Sequence, residues 1–259
     1  MGAQLVKAVG ARADVQLAAA IDRPGGEALG KDAGELAGLA PIGVQVGDDL
    51  APAIGLVDVV IDFSNAAAVA RTAGICAAAA VPLMVGTTGL DDDTRRRLDE
   101  AAAKVPVLVA PNTSLALNVL LELVQRAARA LPLGYDIEIF EAHHRHKVDA
   151  PSGTALALGE AAASGRGERL ARPVALSGAA AGARQPGTIG FSVVRGGDVV
   201  GEHEVRFLGA GEQLRLSHVA TDRAIFANGA LQAALWLRQR PPGHYGMADF
   251  IFEDQGDRK

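Results

Sequence analysis

Between positions 141 and 154 the chain reads Glu-Ala-His-His-Arg-His-Lys-Val-Asp-Ala-Pro-Ser-Gly-Thr. Three of its six histidines fall here, at His143, His144 and His146, with Arg145 and Lys147 among them. An imidazole titrates near neutrality and can give or take a proton there, and a lysine can do so when its surroundings lower its pKa. The two fixed cations can hold an anion. Pro151 suits the first turn of a helix, Ser152 or Thr154 can cap it, and the residues from Ala155 onward are good helix formers. A helix start offers unpaired N–H groups and a partial positive charge to a carboxylate or phosphate, and Gly153 lets such a ligand approach the backbone. Alone, a capped helix start or a single histidine is ordinary structure. Together they describe proton transfer to a small anion.

A metal-dependent hydrolase built on His143, His144 and His146 is the competing reading. Arg145 and Lys147 repel a dication there, and no second cysteine helps, so no metal is expected. The histidines follow a strand, so the side chains of His143 and His144 point to opposite sides and not all three share one site.

The elements that must position this cluster come in two kinds. In the first half, short apolar runs at residues 15–21, 57–63, 82–85 and 105–110 alternate with helical segments. Residues 2–9 read as the tail of a helix ended near Gly10. Ser64-Asn65 can cap a helix through about Ala79, Asp91 to Asp93 suit the start of the next, and Thr113 or Ser114 can cap a third reaching about Leu131. Such alternation implies βαβ units and a parallel sheet, with ligands beyond the carboxyl ends of the strands. The loops at Asp22, Ser64, Gly86 and Pro111 lie on that edge. Asp22 can accept from a ribose hydroxyl and Arg23 can meet a 2′-phosphate, while Gly86-Thr87-Thr88-Gly89 is a weaker cofactor signal.

After Tyr135 the pattern becomes polar–apolar alternation. Residues 136–141, 188–195, 199–208 and 213–220 read as a mainly antiparallel sheet, with a turn at Gly196-Gly197. Residues 164–185 read as mostly loop, residues 225–238 as a last helix, and residues 249–257 as a solvated charged tail.

The 49% hydrophobic content is ample for a core in 259 residues, one large domain or two modest ones. A net charge of -5 argues against nucleic acid as a partner. The most apolar run is too short to span a membrane and contains Pro82. The single cysteine, Cys76, sits in an Ala-rich run as a small hydrophobe, which fits a reducing compartment. A cytoplasmic protein is expected.

With these residues in view, the chain resembles the dihydrodipicolinate reductase family, also called 4-hydroxy-tetrahydrodipicolinate reductase. The likeness is carried by the block from Glu141 to Ala155, by Val85-Gly-Thr-Thr-Gly89 and by Ala110-Pro-Asn112. Pro186-Gly-Thr-Ile-Gly-Phe191, Arg195-Gly-Gly-Asp-Val-Val-Gly-Glu-His203 and Phe226-Ala-Asn-Gly-Ala230 add to it. The resemblance implies an α/β fold: a Rossmann-type dinucleotide-binding domain over residues 1–113 and 224–259, and an α+β substrate-binding and oligomerisation domain over residues 114–223 that builds a homotetramer. It implies NADPH or NADH as cofactor and a small dicarboxylate as substrate, in diaminopimelate and lysine biosynthesis. It gives His143 and Lys147 the proton-donor roles and sets His144, Gly153 and Thr154 against the substrate. Asp22 and Arg23 would meet the adenosine ribose, and Gly86, Thr87, Thr88, Ala110, Pro111, Asn112 and Thr113 would line the nicotinamide side. Against the family's pattern, the chain opens at Met1-Gly2, where the Gly-rich phosphate loop that follows the first strand would end; the expectation is that the true start lies upstream, with a non-catalytic truncated homologue as the alternative, and that the chain as written binds nucleotide weakly.

Overall fold

Apolar runs bounded by capping residues become alternating strands and helices in the first half of the chain. The computed structural model describes residues 1–171, 175–176 and 184–253. It divides into two units, Met1–Leu115 with Ala224–Lys259, and Ala116–Arg223. In chain order the first unit opens with α1 (Gly2–Gly10), β1 (Ala20–Ile21), α2 (Ala33–Leu36), β2 (Val46–Gly47), β3 (Val60–Asp62), α3 (Ala66–Ala79), β4 (Leu83–Val85), α4 (Asp92–Ala102) and β5 (Pro106–Val109). Helix α5 (Leu115–Ala130) leads into the second unit, which holds β6 (Asp136–His143), α6 (Gly153–Gly165), β7 (Ala175–Leu176), β8 (Ile189–Arg195), β9 (Gly201–Leu208) and β10 (Gln213–Ala220). The chain then returns to the first unit with α7 (Ala224–Leu237), β11 (Gly243–Tyr245) and α8 (Met247–Ile251).

In the first unit β11, β5, β4 and β3 form a parallel sheet in that order. Strands β1 and β2 pair with each other, also in parallel, as a separate sheet. The caps fall where side-chain chemistry puts them: Asn65 Oδ1 accepts from the Ala68 N–H at 3.1 Å, and Asp91 Oδ1 from that of Thr94 at 2.8 Å. Helix α3 buries Val69, Ala73 and Cys76, one face at helical spacing, against Leu83, Val85 and Val107. Burial pushes the Cys76 thiol up to about 12, so it stays protonated and packs as a hydrophobe. Helix α7 buries Ala230, Ala233, Ala234 and Leu237 against Met84 and Leu108 of the same sheet.

The second unit is a five-stranded sheet in the order β10, β9, β6, β8, β7. Ile137, Ile139, Phe191, Val205 and Phe207 line its inner face and pack on Leu117, Leu120 and Val124 of α5 and Leu158 and Ala162 of α6. The helices meet closely: a Cβ at Gly165 would stand 2.3 Å from the Gln125 carbonyl.

Several expectations need correction. The run at residues 15–21 is strand only over Ala20–Ile21. The sheet of the second unit is mixed: β6 runs antiparallel to β9 but parallel to β8. The turn at Gly196-Gly197 therefore closes no hairpin, because β8 and β9 lie on opposite sides of β6. Helix α6 extends to Gly165, inside the stretch read as loop, and residues 172–174 and 177–183 of that stretch lie outside the described residues. Residues 249–251 are not tail but part of α8, whose Gly246 N–H is taken by Asp249 Oδ2 at 2.7 Å. Residues 254–257 lie outside the described residues. No helix among the described residues is long and apolar enough to cross a membrane.

Candidate active site

Strand β6 changes chemistry along one face. Side chains two apart share a face of a strand, and the inner face of β6 reads Ile137, Ile139, Glu141, His143, all buried. Its first half is core; its last half is ionisable. Register supplies the neighbours: Glu141 lies opposite His203 on β9, and His143 opposite Arg195 on β8.

Glu141 is fully buried and is the hub. Its Oε1 accepts from the Ser152 N–H at 2.8 Å and from Arg195 Nη2 at 2.9 Å. Its Oε2 lies 2.5 Å from His143 Nδ1, a contact of charge rather than of aligned hydrogen-bond geometry. Arg195 Nη2 also reaches the Asp149 carbonyl at 2.5 Å. Ser152 is the cap of α6: its Oγ accepts from the Ala155 N–H at 3.1 Å and lies 3.3 Å from His203 Nε2. The rings of His143 and His203 meet edge to face at 5.0 Å. Gly201 stands beside the other edge of His143, where a Cβ would come within 3.2 Å of Nε2.

Burial pushes the Glu141 carboxyl up, but Arg195, Ser152 and His143 outweigh it and hold it below the usual carboxylate range. Burial pulls His143 down; Glu141 opposes this, and Lys147 and Arg195 add to it. His203 is pushed to about 4, chiefly by burial and then by His143.

The rest of the cluster is more open. Lys147 Nζ pairs with Asp149 Oδ1 at 2.8 Å, which lowers the Asp149 carboxyl. His144 lies just past the end of β6, with Arg223 Nη2 3.4 Å from its Nε2. His146 is exposed, its ring 6.3 Å from that of His144. Gly153 and Thr154 form the first turn of α6, Gly153 exposed and Thr154 half-buried. His143 is thus separated from His144 and His146, and the trio expected for a metal-dependent hydrolase does not come together. Glu141, His143 and His203 do each bring an atom within 4.8 Å of the others. That group already holds a cation, the Arg195 guanidinium, and Lys147 faces it, so a dication there would meet like charge.

In the first unit the nicotinamide-side candidates follow strands of the four-stranded parallel sheet, whereas Asp22 and Arg23 follow β1 of the separate pair and not, as expected, the edge of that sheet. Gly86 and Thr87 follow β4, Ala110 to Thr113 follow β5, and Asp62 ends β3. Gly86 donates to the Asp62 carbonyl at 2.8 Å, and a Cβ there would sit 2.2 Å from the Phe63 ring, so only glycine fits. Thr87 is buried with its Oγ1 3.3 Å from Asp62 Oδ1, while Thr88 is exposed. Ala110 is buried, Pro111 is exposed, and Asn112 Oδ1 accepts from the Ser114 N–H at 3.0 Å. The Thr113 hydroxyl is committed to the Phe226 carbonyl at 2.6 Å, so this position offers only backbone. Asp22 and Arg23 follow β1, both exposed, with Asp22 Oδ1 accepting from the Arg23 N–H at 2.7 Å. Glycine backbone and exposed polar groups at the carboxyl edge of a parallel sheet fit a dinucleotide.

Sequence reasoning missed Glu141, Arg195 and His203. One signal was present for the first: it stands two residues before His143, hence on the same face.

Comparison with known proteins agrees with this architecture. The family description "Dihydrodipicolinate reductase, N-terminus" matches residues 1–113, and "Dihydrodipicolinate reductase, C-terminus" matches residues 116–251. A 4-hydroxy-tetrahydrodipicolinate reductase of Anaeromyxobacter dehalogenans is 51% identical over 252 residues, covering 97% of this chain and 93% of the relative. One from Halorhodospira halophila is 49% identical over 253 residues, covering 97% and 94%. Among solved structures, a dipicolinate-bound dihydrodipicolinate reductase from Paenisporosarcina sp. TG-14 superposes with a TM-score of 0.74 at 25% identity, covering 96% of this chain and 94% of that one. Matches over both halves, together with half the residues shared along almost the whole length, place this chain in the dihydrodipicolinate reductase family.

Proposed function

We propose that the chain is an NAD(P)H-dependent 4-hydroxy-tetrahydrodipicolinate reductase, an oxidoreductase of diaminopimelate and lysine biosynthesis. The observation that carries this reading is the buried Glu141–His143 pair, set at the mouth of a capped helix with Lys147 beside it. The reaction consumes one hydride and one proton and releases one water. NADPH or NADH supplies the hydride when bound. Asp22 and Arg23 would hold the adenosine ribose; Gly86 to Thr88 and Ala110 to Thr113 would hold the nicotinamide side.

His143 and Lys147 supply the proton. A placed donor and cation matter because hydride arrival puts negative charge into the conjugated ring. His144, Gly153 and Thr154 bind the dicarboxylate, helped by the positive end of α6. A homotetramer built through the second unit completes the reading. The face of its sheet that carries Glu138, Phe140, Ser192, Glu204 and Arg206 is only half-buried, and strand β10 is exposed along most of its length.

The test is NADPH and NADH oxidation, run in parallel, with the hydroxylated substrate and the purified protein. His143→Ala and Lys147→Ala should each lower kcat, by about 10²–10⁴-fold for a lost general acid. Unchanged turnover in both variants would remove the proton-donor assignment; no oxidation by the parent protein with either cofactor would remove the activity.

A further inference from the structure

The mechanism above uses His143 but leaves a fully buried carboxylate beneath it. Burying a charge is costly unless it is paired and hydrogen-bonded; Glu141 is hydrogen-bonded on Oε1, and its Oε2 faces the His143 ring. Oε1 takes two donors, the Ser152 N–H and Arg195 Nη2. Both are obligate donors, so this oxygen can only accept. Oε2 is thereby turned to His143 Nδ1 at 2.5 Å. A carboxylate facing Nδ1 selects the Nδ1–H tautomer and leaves Nε2 as the working nitrogen. Nε2 is also the edge kept clear by the missing side chain of Gly201.

We propose that Glu141 is a positioning residue for the proton donor: one carboxylate locks the His143 ring with Nδ1 protonated and, through Ser152, ties that ring to the start of α6. The proposal rests on His143 giving the proton. When Nε2 gives its proton away, the neutral ring that remains carries hydrogen on Nδ1, the nitrogen that faces the Glu141 carboxylate. The proton goes to the substrate and no other bond changes at the residue. The charged and titratable groups facing the ring are Glu141 on its own strand, Arg195 on β8, His203 on β9 and Lys147 on the loop after β6. Of these only Glu141 favours the imidazolium.

Glu141→Gln tests this selectively. Its amide oxygen can still accept from Ser152 and Arg195, so the α6 mouth is retained. Its NH₂ would then face Nδ1 and oppose hydrogen there. In the full-length protein we expect kcat to fall roughly 10²-fold, at the low end of the worth of a general acid, with KM for the substrate within about twofold. The alkaline limb of the pH–kcat profile should move to lower pH, because the protonated ring has lost its stabilising charge. Glu141→Asp, which keeps the charge, should recover part of the rate and move the limb back.

A buried substitution can also unfold a protein, so the parent enzyme supplies a second measurement. Nitrogen-15 NMR of its neutral His143 should show the Nδ1–H tautomer. An Nε2–H tautomer in the parent, or a folded Glu141→Gln enzyme with unchanged kcat and pH profile, overturns the proposal. If His143→Asn itself left kcat intact, the proton-donor reading would fall separately; the tautomer would still report whether Glu141 holds the ring.

Discussion

His203 contributes a pH dependence that its burial makes readable. Its folded-state value is about 4 against an ordinary 6.5. Between those values the unfolded chain binds more protons, so stability rises with pH. The contribution is complete above about pH 6.5 and is lost as pH falls toward about 4, a swing of roughly 3 kcal/mol. His143 and His218 are also held below the usual range by burial and act in the same direction. Urea unfolding at pH 7 and pH 4.5 should show the loss. His203→Gln, which can keep a hydrogen bond to Ser152, should flatten much of it. An equal slope in the variant would mean that other groups carry the acid sensitivity.

At the scale of elements, β6 and α6 together make the site, and they were legible to different depths. The alternation Asp-Ile-Glu-Ile-Phe-Glu announced β6, and Pro-Ser-Gly-Thr announced the start of α6. The joint between them was not legible, because Glu141 and Ser152 meet through a folded-back loop. Arg195 was hidden for another reason. Period-two alternation looks the same in parallel and antiparallel pairing, so nothing local says that β8 lies beside β6 rather than beside β9. Strand β11 went unread because Gly-His-Tyr carries no apolar run; it becomes a strand only through pairing with β5. Ser152→Ala is the clean probe of the joint. It removes the side-chain cap but leaves the backbone N–H to Glu141, so stability should drop by about 1 kcal/mol. KM should rise while kcat holds, since the helix mouth frays and the His143 pair stays. A denaturant midpoint equal to that of the parent would show that the cap is not used.

At the scale of the whole molecule, the sheet of the second unit sets the expectation for assembly. A half-buried sheet face and an exposed β10 with Leu214 and Val219 at the surface are expensive for a lone protomer. Light scattering should give four times the chain mass of 26.5 kDa. A charge placed at Val219 should lower that mass; a monomer in the parent protein at micromolar concentration would refute the assembly.

The first unit is also discontinuous, and this governs the order in which a newly made chain can fold. Strand β5 ends at Val109, but its parallel neighbour β11 begins only at Gly243, and the Ala-rich side of α7 that covers Met84 and Leu108 arrives just before it. Everything between has to leave the ribosome first. Chains are made from the N-terminus and domains fold as units, so the inserted unit can settle while the one that began earlier waits, its sheet bare on one side. A nascent chain released before residue 224 would therefore hold the proton-handling half in finished form and expose the apolar surface of the other half to any chaperone within reach.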